Sequence, residues 1–170
     1  MLYIYLAGAI RDDRPEDYVW RGEVIDRLST HIALGQLGIL SPLGGKTYNP
    51  KTKLWKVSGI DATPGFIVGQ DIWCVDKADL IVFNLMALGE GYPNIGTMVE
   101  FGRSTAKSTM RYVIVPKGYS GHSNAAMFKL HPFIQQHTTA VFYDVPACID
   151  FLARHVSVLA GGSPHFRGEA

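Results

Sequence analysis

The sequence predicts an α/β fold, a single doubly wound domain with a five-stranded parallel sheet in the order 2-1-3-4-5. Short runs rich in apolar, β-branched or aromatic residues recur five times: LYIYLA at 2–7, GILS at 38–41, ADLIVFNL at 78–85, RYVIVP at 111–116 and TAVFYD at 139–144. Segments with apolar residues at helical spacing separate these runs, and strands that alternate with helices build parallel sheets through right-handed crossovers. The 170 residues, 47% of them hydrophobic, are enough for one full core and too few for two. In such a sheet the ligand crevice opens at the carboxyl ends of strands 1 and 3, where the winding direction reverses. The loops 7–11 and 86–97 are therefore expected to face each other across a pocket.

Each element follows from its residues. Strand 1 is closed by Gly8, and Pro15, Glu16 and Asp17 then start a helix that carries Val19, Trp20, Val24, Ile25, Leu28 and Ile32 at helical spacing until Gly35. After strand 2 comes PLGGKTYNPKTKLWKVSGIDATPG (42–65), which shows no clear periodicity. Structureless stretches longer than about 15 residues are usually functional or disordered. With Tyr48, Leu54 and Trp55 in it, this one is expected to be a lid or substrate-facing loop, with a solvated insertion as the alternative. Helical periods follow at 66–78, 95–107, 124–136 with a break before Pro132, and 145–160. The domain is expected to span 1–160, followed by the tail GGSPHFRGEA at 161–170.

Composition removes several function classes. Lys and Arg number 16 against 15 Asp and Glu, so no global field favours nucleic acid or an anionic membrane. No run approaches the roughly 18 apolar residues of a membrane span. Cys74 and Cys148 sit among apolar residues on predicted helices and read as buried thiols of a reducing compartment. MLYIYLAG has no basic segment before its apolar run, so the expectation is a first strand and a cytoplasmic protein. The six histidines show no metal-ligand spacing, so neither a metal nor another cofactor is expected.

The candidate chemistry lies in acids and one loop. Glu100 stands about one turn into the helix leaving the second crevice loop, from where it can point back into the pocket. Thr97 and Glu100 also match a Thr-x-x-Glu capping box, in which the acid only reaches back to a backbone N–H. Gly96 leaves room for a ligand near the backbone. Asp71 stands alone among apolar helical residues, either facing the pocket or solvated. Tyr5, near the carboxyl end of strand 1, is placed to hydrogen-bond a carboxylate or to serve as a buried structural residue. Gly8, Ala9, Ile10 and Arg11, followed by a helix start, suit an anion, although neither a phosphate-binding P-loop nor a G-x-G-x-x-G fingerprint is present.

Three segments in register, IYLAGAI at 4–10, QDIWCVDKADLIVFNL at 70–85 and PNIGTMVEFGRSTA at 93–106, resemble the nucleoside 2-deoxyribosyltransferase superfamily, which includes 2′-deoxynucleoside 5′-monophosphate N-glycosidases. The resemblance covers about the first 115 residues. It implies a flavodoxin-like fold, Glu100 as nucleophile, Asp71 beside the sugar and base, and Tyr5 next to the nucleophile. Asn94 occupies the position at which transferases often carry an aspartate that contacts the base, and an amide cannot serve as a general acid. Gly8-Ala9-Ile10-Arg11 is similar to the G-S-I-R loop with which the nucleotide hydrolases hold a 5′-phosphate. The resemblance further implies a homodimer or higher homo-oligomer, in which a segment after strand 4, here with Ser123 and Asn124, reaches the neighbouring pocket. Deoxyribosyl transfer to an acceptor base is the leading expectation. Hydrolysis of nucleoside monophosphates and a non-catalytic nucleotide sensor are the alternatives.

Overall fold

The computed structural model describes residues 1–11, 14, 16–49, 54–90, 94–116 and 132–161. A five-stranded parallel sheet is built from β1 (Leu2–Gly8), β2 (Leu37–Leu40), β6 (Leu80–Asn84), β7 (Met110–Ile114) and β8 (Ala140–Phe142), in the spatial order β2-β1-β6-β7-β8. Counted along the chain within this sheet, that is the predicted order 2-1-3-4-5. β6 is buried at every residue, as a central strand covered on both faces must be.

The period-two alternation of β1 divides the core. Ile4 and Leu6 point to the side covered by α1 (Glu16–Arg27) and α6 (Val145–Gly161), where they meet Trp20, Val24, Leu152 and Val156. Tyr5 and Ala7 point to the other side, against Val75 of α3 (Pro64–Lys77) and Phe101 of α4 (Ile95–Ser104). Phe83 and Phe101 pack edge to face with ring centroids 5.0 Å apart. Tyr5 and Glu100 thus enter the interior from the same face of the sheet. Glycine at position 8 allows a close approach, because a Cβ there would lie 3.0 Å from the Asn84 carbonyl oxygen and 3.1 Å from the Asn84 Cβ, tighter than ordinary van der Waals contact.

The stretch 42–65 differs from expectation. Instead of an irregular lid it contains a small antiparallel sheet of β3 (Lys46–Asn49), β4 (Leu54–Val57) and β5 (Ile60–Asp61). The β4–β5 connection is a two-residue loop in which Ser58 (φ 50°) and Gly59 (φ 83°) are both left-handed, the backbone that matches the strand twist of a tight hairpin. The predicted first helix is also divided, at Leu28, into α1 and α2 (Ser29–Ala33). Of the predicted helix 124–136 the described part is α5 (Pro132–His137). Among the described residues no helix is long and apolar enough to cross a membrane.

Candidate active site

α4 begins at Asn94, whose backbone is left-handed (φ 47°, ψ 38°) and whose carbonyl accepts from Met98 N at 2.9 Å. That start decides between the two readings of Thr-x-x-Glu. The cap is Asn94, Thr97 is already inside the helix, and the side chain of Glu100 is bonded elsewhere, so the capping-box reading is set aside. Thr97, Glu100, Phe101 and Ser104 form the buried stripe of α4 at the spacing i, i+3, i+4, i+7. Glu100 is therefore carried inward by the same periodicity that buries Phe101.

Glu100 is 8% exposed, and its Oε1 accepts from the Tyr5 hydroxyl at 2.6 Å. Burial raises its pKa from the ordinary 4.5 to about 7, and Asp71 adds to the rise, while the Tyr5 hydrogen bond and the charges of Arg21 and Lys46 oppose it. The Tyr5 phenol is held well above its usual range, first by burial and then by Glu100 and Asp71, so it remains a proton donor to the carboxylate. Arg21, 2% exposed, donates to the carbonyls of Leu6 (3.1 Å), Asp17 (2.6 Å) and Gly8 (3.0 Å), and fastens the end of β1 to α1.

In front of Glu100 lies a recess of about 170 Å³ bordered by Gly8, Ala9 and Ile10 from one loop, Asn94, Ile95, Gly96 and Thr97 from the other, and Pro42 and Asp71. The two loops face each other as the switch point demands. A Cβ on Gly96 would meet no atom within 4 Å, so this backbone borders open space. Asn94 is 2% exposed, and neither atom of its amide has a hydrogen-bond partner among the described residues.

Asp71 is brought to the recess by α3, where its Oδ1 accepts from Lys46 Nζ at 2.8 Å. Its pKa is raised by burial, against the pull of Lys46 and, more weakly, Arg21. Arg11 is not part of this recess. Its Nε and Nη2 hold both oxygens of Asp17 at 2.6 and 2.7 Å, its Nη1 meets Glu90 at 2.7 Å, and it borders a separate cavity with Ala9, Asn84 and Val145. Ser123 and Asn124 lie outside the described residues. Among the described residues there is no cluster of three or more His, Cys, Asp or Glu that could hold a metal ion.

The fold and site can be set beside solved structures. The 2-desoxiribosyltransferase from Leishmania mexicana superposes with a TM-score of 0.62 at 16% identity, over 91% of this chain and 99% of that one. The chain has the fold of the nucleoside 2-deoxyribosyltransferases. A conserved protein from Enterococcus faecalis V583 superposes on the chain with a TM-score of 0.63 at 14% identity, over 91% of this chain and 99% of that one. The CMP N-glycosidase of Clostridium botulinum gives a TM-score of 0.49 at 10% identity over 90% and 98%, a likeness too slight to support a functional comparison. No protein-family model and no curated protein sequence matches the chain.

Two residues at the site of this deoxyribosyltransferase fold escaped sequence reasoning. Lys46 sits among Lys51, Lys53 and Lys56 in a stretch without periodicity, and nothing local distinguishes it. Arg21 did leave a signal, since it shares the stripe of Asp17, Trp20, Val24 and Leu28, and a guanidinium on an apolar helix face must find buried acceptors.

Proposed function

We propose that the protein is an N-glycosyl enzyme that cleaves 2′-deoxyribonucleosides through Glu100 and passes the deoxyribose to an acceptor base. The observation that carries this reading is the buried Glu100 carboxylate, oriented by Tyr5 and opening onto a recess bordered by an Asn94 amide that has no partner among the described residues, in a chain with the deoxyribosyltransferase fold. Cleavage of the C1′–N bond develops oxocarbenium character at C1′, and a desolvated carboxylate beside it both stabilises that charge and traps the sugar as a glycosyl ester. Tyr5 engages Oε1, which leaves the second oxygen for bond formation. A second base attacking the ester gives transfer, and water gives hydrolysis. The engagement of Arg11 by Asp17 and Glu90 favours an unphosphorylated nucleoside over a 5′-monophosphate.

The test is to follow free base released from thymidine, deoxycytidine, deoxyadenosine and deoxyinosine, each with and without a second base and each repeated as the 5′-monophosphate. Exchange of bases supports transfer. Release that ignores the acceptor supports hydrolysis, and binding with no release from any substrate overturns the enzymatic reading in favour of a nucleotide sensor.

The nucleophile must be ionised, so kcat/KM is expected to rise with pH through about 7, the value to which burial brings Glu100. Replacing Tyr5 by Phe removes a hydrogen bond that favours the carboxylate, and the acidic limb of the profile is expected to move to higher pH by about one unit. A Tyr5→Phe profile superimposable on that of the parent would show that the phenol does not tune the acid.

A further inference from the structure

The recess before Glu100 adjoins a second one of about 170 Å³, and the two share Ile10, Pro42 and Asp71. The turn 41–46, which leads into the small sheet, supplies Pro42 to both and Leu43 and Lys46 to the second. Within it the Ser41 carbonyl accepts from Gly44 N at 2.9 Å and the Leu43 carbonyl from Lys46 N at 3.0 Å. Gly45 is left-handed (φ 69°), and a Cβ built on it would meet no atom within 4 Å. A glycine bordered by open space is a natural hinge point.

The small sheet forms no ladder with the parallel sheet. Among the described residues, two hydrogen bonds fasten the turn and the small sheet to α3, from Lys46 Nζ to Asp71 Oδ1 at 2.8 Å and from Gln70 Nε2 to the Gly44 carbonyl at 3.1 Å. At the other end, Val57, Ser58 and Asp61 of the sheet and Thr63 and Phe66 at the start of α3 border a cavity of about 430 Å³. The sheet stands beside a hollow there and not against a packed core. In the tie itself the Lys46 side chain is 4% exposed and that of Asp71 19%. A buried ion pair regains in Coulomb attraction about what it loses in hydration, so parting it costs little when both ends return to water and much when one end is deleted.

We propose that the turn 41–46 and the small sheet form a hinged wall of the catalytic recess, latched to α3 by Lys46 and Gln70. With the latch parted, the two recesses become one. The purpose of the wall rests on the N-glycosyl reading above. In a transfer the first base leaves and the second enters while C1′ stays bonded to Glu100, and a wall that moves aside opens a path for a flat heterocycle without releasing the sugar. The incoming base nitrogen then bonds to C1′ as the C1′–O bond breaks, Glu100 regains its carboxylate, and the N–H proton of the base passes to water. Closed, the wall keeps water from the glycosyl ester.

Amide hydrogen exchange read by mass spectrometry on the parent, Lys46→Met and Gln70→Ala tests the wall without any ligand. In Lys46→Met the amides of 43–49 and 54–61 are expected to exchange at least about tenfold faster than in the parent, while those of β1, β6 and β7 exchange as before. Gln70→Ala removes the uncharged tie and is expected to move the same amides in the same direction by less. It decides the matter should Lys46→Met unfold with Asp71 left unpaired. Exchange at 43–49 and 54–61 that neither variant changes, or a rise shared equally by the parallel sheet of a folded variant, overturns the inference. With a deoxynucleoside and saturating acceptor base, Lys46→Met is expected to raise severalfold the share of cleavages that end in free deoxyribose, and an unchanged share overturns the part assigned to the wall in base exchange. Absence of base release from every nucleoside by the parent protein overturns the N-glycosyl reading and that part with it, while hydrogen exchange still decides whether the wall moves.

Discussion

Replacing Glu100 by glutamine is expected to lower turnover by at least about a thousandfold, the scale of removing a nucleophile that no neighbour replaces. The same substitution is expected to stabilise the fold above neutral pH. The folded-state pKa of Glu100, about 7, lies above its ordinary 4.5, so the native chain holds this proton more tightly than the unfolded chain does. Stability on this account declines as pH rises from about 4.5 through about 7, and above that range the buried carboxylate exerts its full penalty. A tenfold change in proton affinity corresponds to about 1.4 kcal/mol, which sets the effect on the order of 3 kcal/mol. A glutamine keeps an oxygen for the Tyr5 hydroxyl and never ionises. Glu100→Gln should therefore melt several degrees above the parent at pH 8 and close to it at pH 4.5. Base-release rates and thermal melts at the two pH values check both parts. Undiminished turnover would remove Glu100 from the chemistry, and equal melting at pH 8 would show that its carboxylate is not desolvated.

Arg21→Met is expected to destabilise the fold by about 3 kcal/mol in denaturant unfolding, since it removes the guanidinium that donates to the carbonyls of Leu6, Asp17 and Gly8, of which Asp17 retains Trp20 Nε1 at 2.9 Å. Burial lowers the Arg21 pKa to about 10, so the guanidinium remains charged at neutral pH and acts on Glu100 through space. Any folded Arg21→Met protein should consequently show its acidic activity limb at higher pH than the parent. Arg21→Lys, with a single nitrogen in place of a fork, is expected to fall between the two. An Arg21→Met unfolding curve that coincides with that of the parent would show that the end of β1 is held by other contacts.

Much of this architecture was legible in the residues. LIVFN of β6 reads as a strand covered on both faces because it contains no solvent-facing position, and the alternation of Ile4, Leu6 against Tyr5, Ala7 places the phenol on a known side of the sheet. The 3.6-residue period that buries Thr97, Phe101 and Ser104 carries Glu100 with them. The same residues were misleading as a capping box, because Thr-x-x-Glu acquires that meaning only if the helix starts at threonine. Here a left-handed Asn94 starts it earlier. The small sheet of 46–61 was obscured by strands of four residues or fewer, too short for alternation to stand out, although Ser58-Gly59 is a recognisable hairpin turn.

The sequence by itself determined the alternation of strands and helices and pointed to the loops that form the crevice, since these follow from steric and solvation preferences that act between near neighbours along the chain, while it left Glu100 open between a pocket acid and a capping-box partner. Only the tertiary structure decided how the charges are paired. Arg11, which reads as an anion-binding residue, is taken by Asp17 and Glu90, while Lys46, unmarked in the sequence, is delivered to Asp71 across 25 positions and Tyr5 to Glu100 across 95. Desolvation and Coulomb attraction act over a few ångströms of space, and which groups come within that range is set by the packing of sheet, helices and hairpin together.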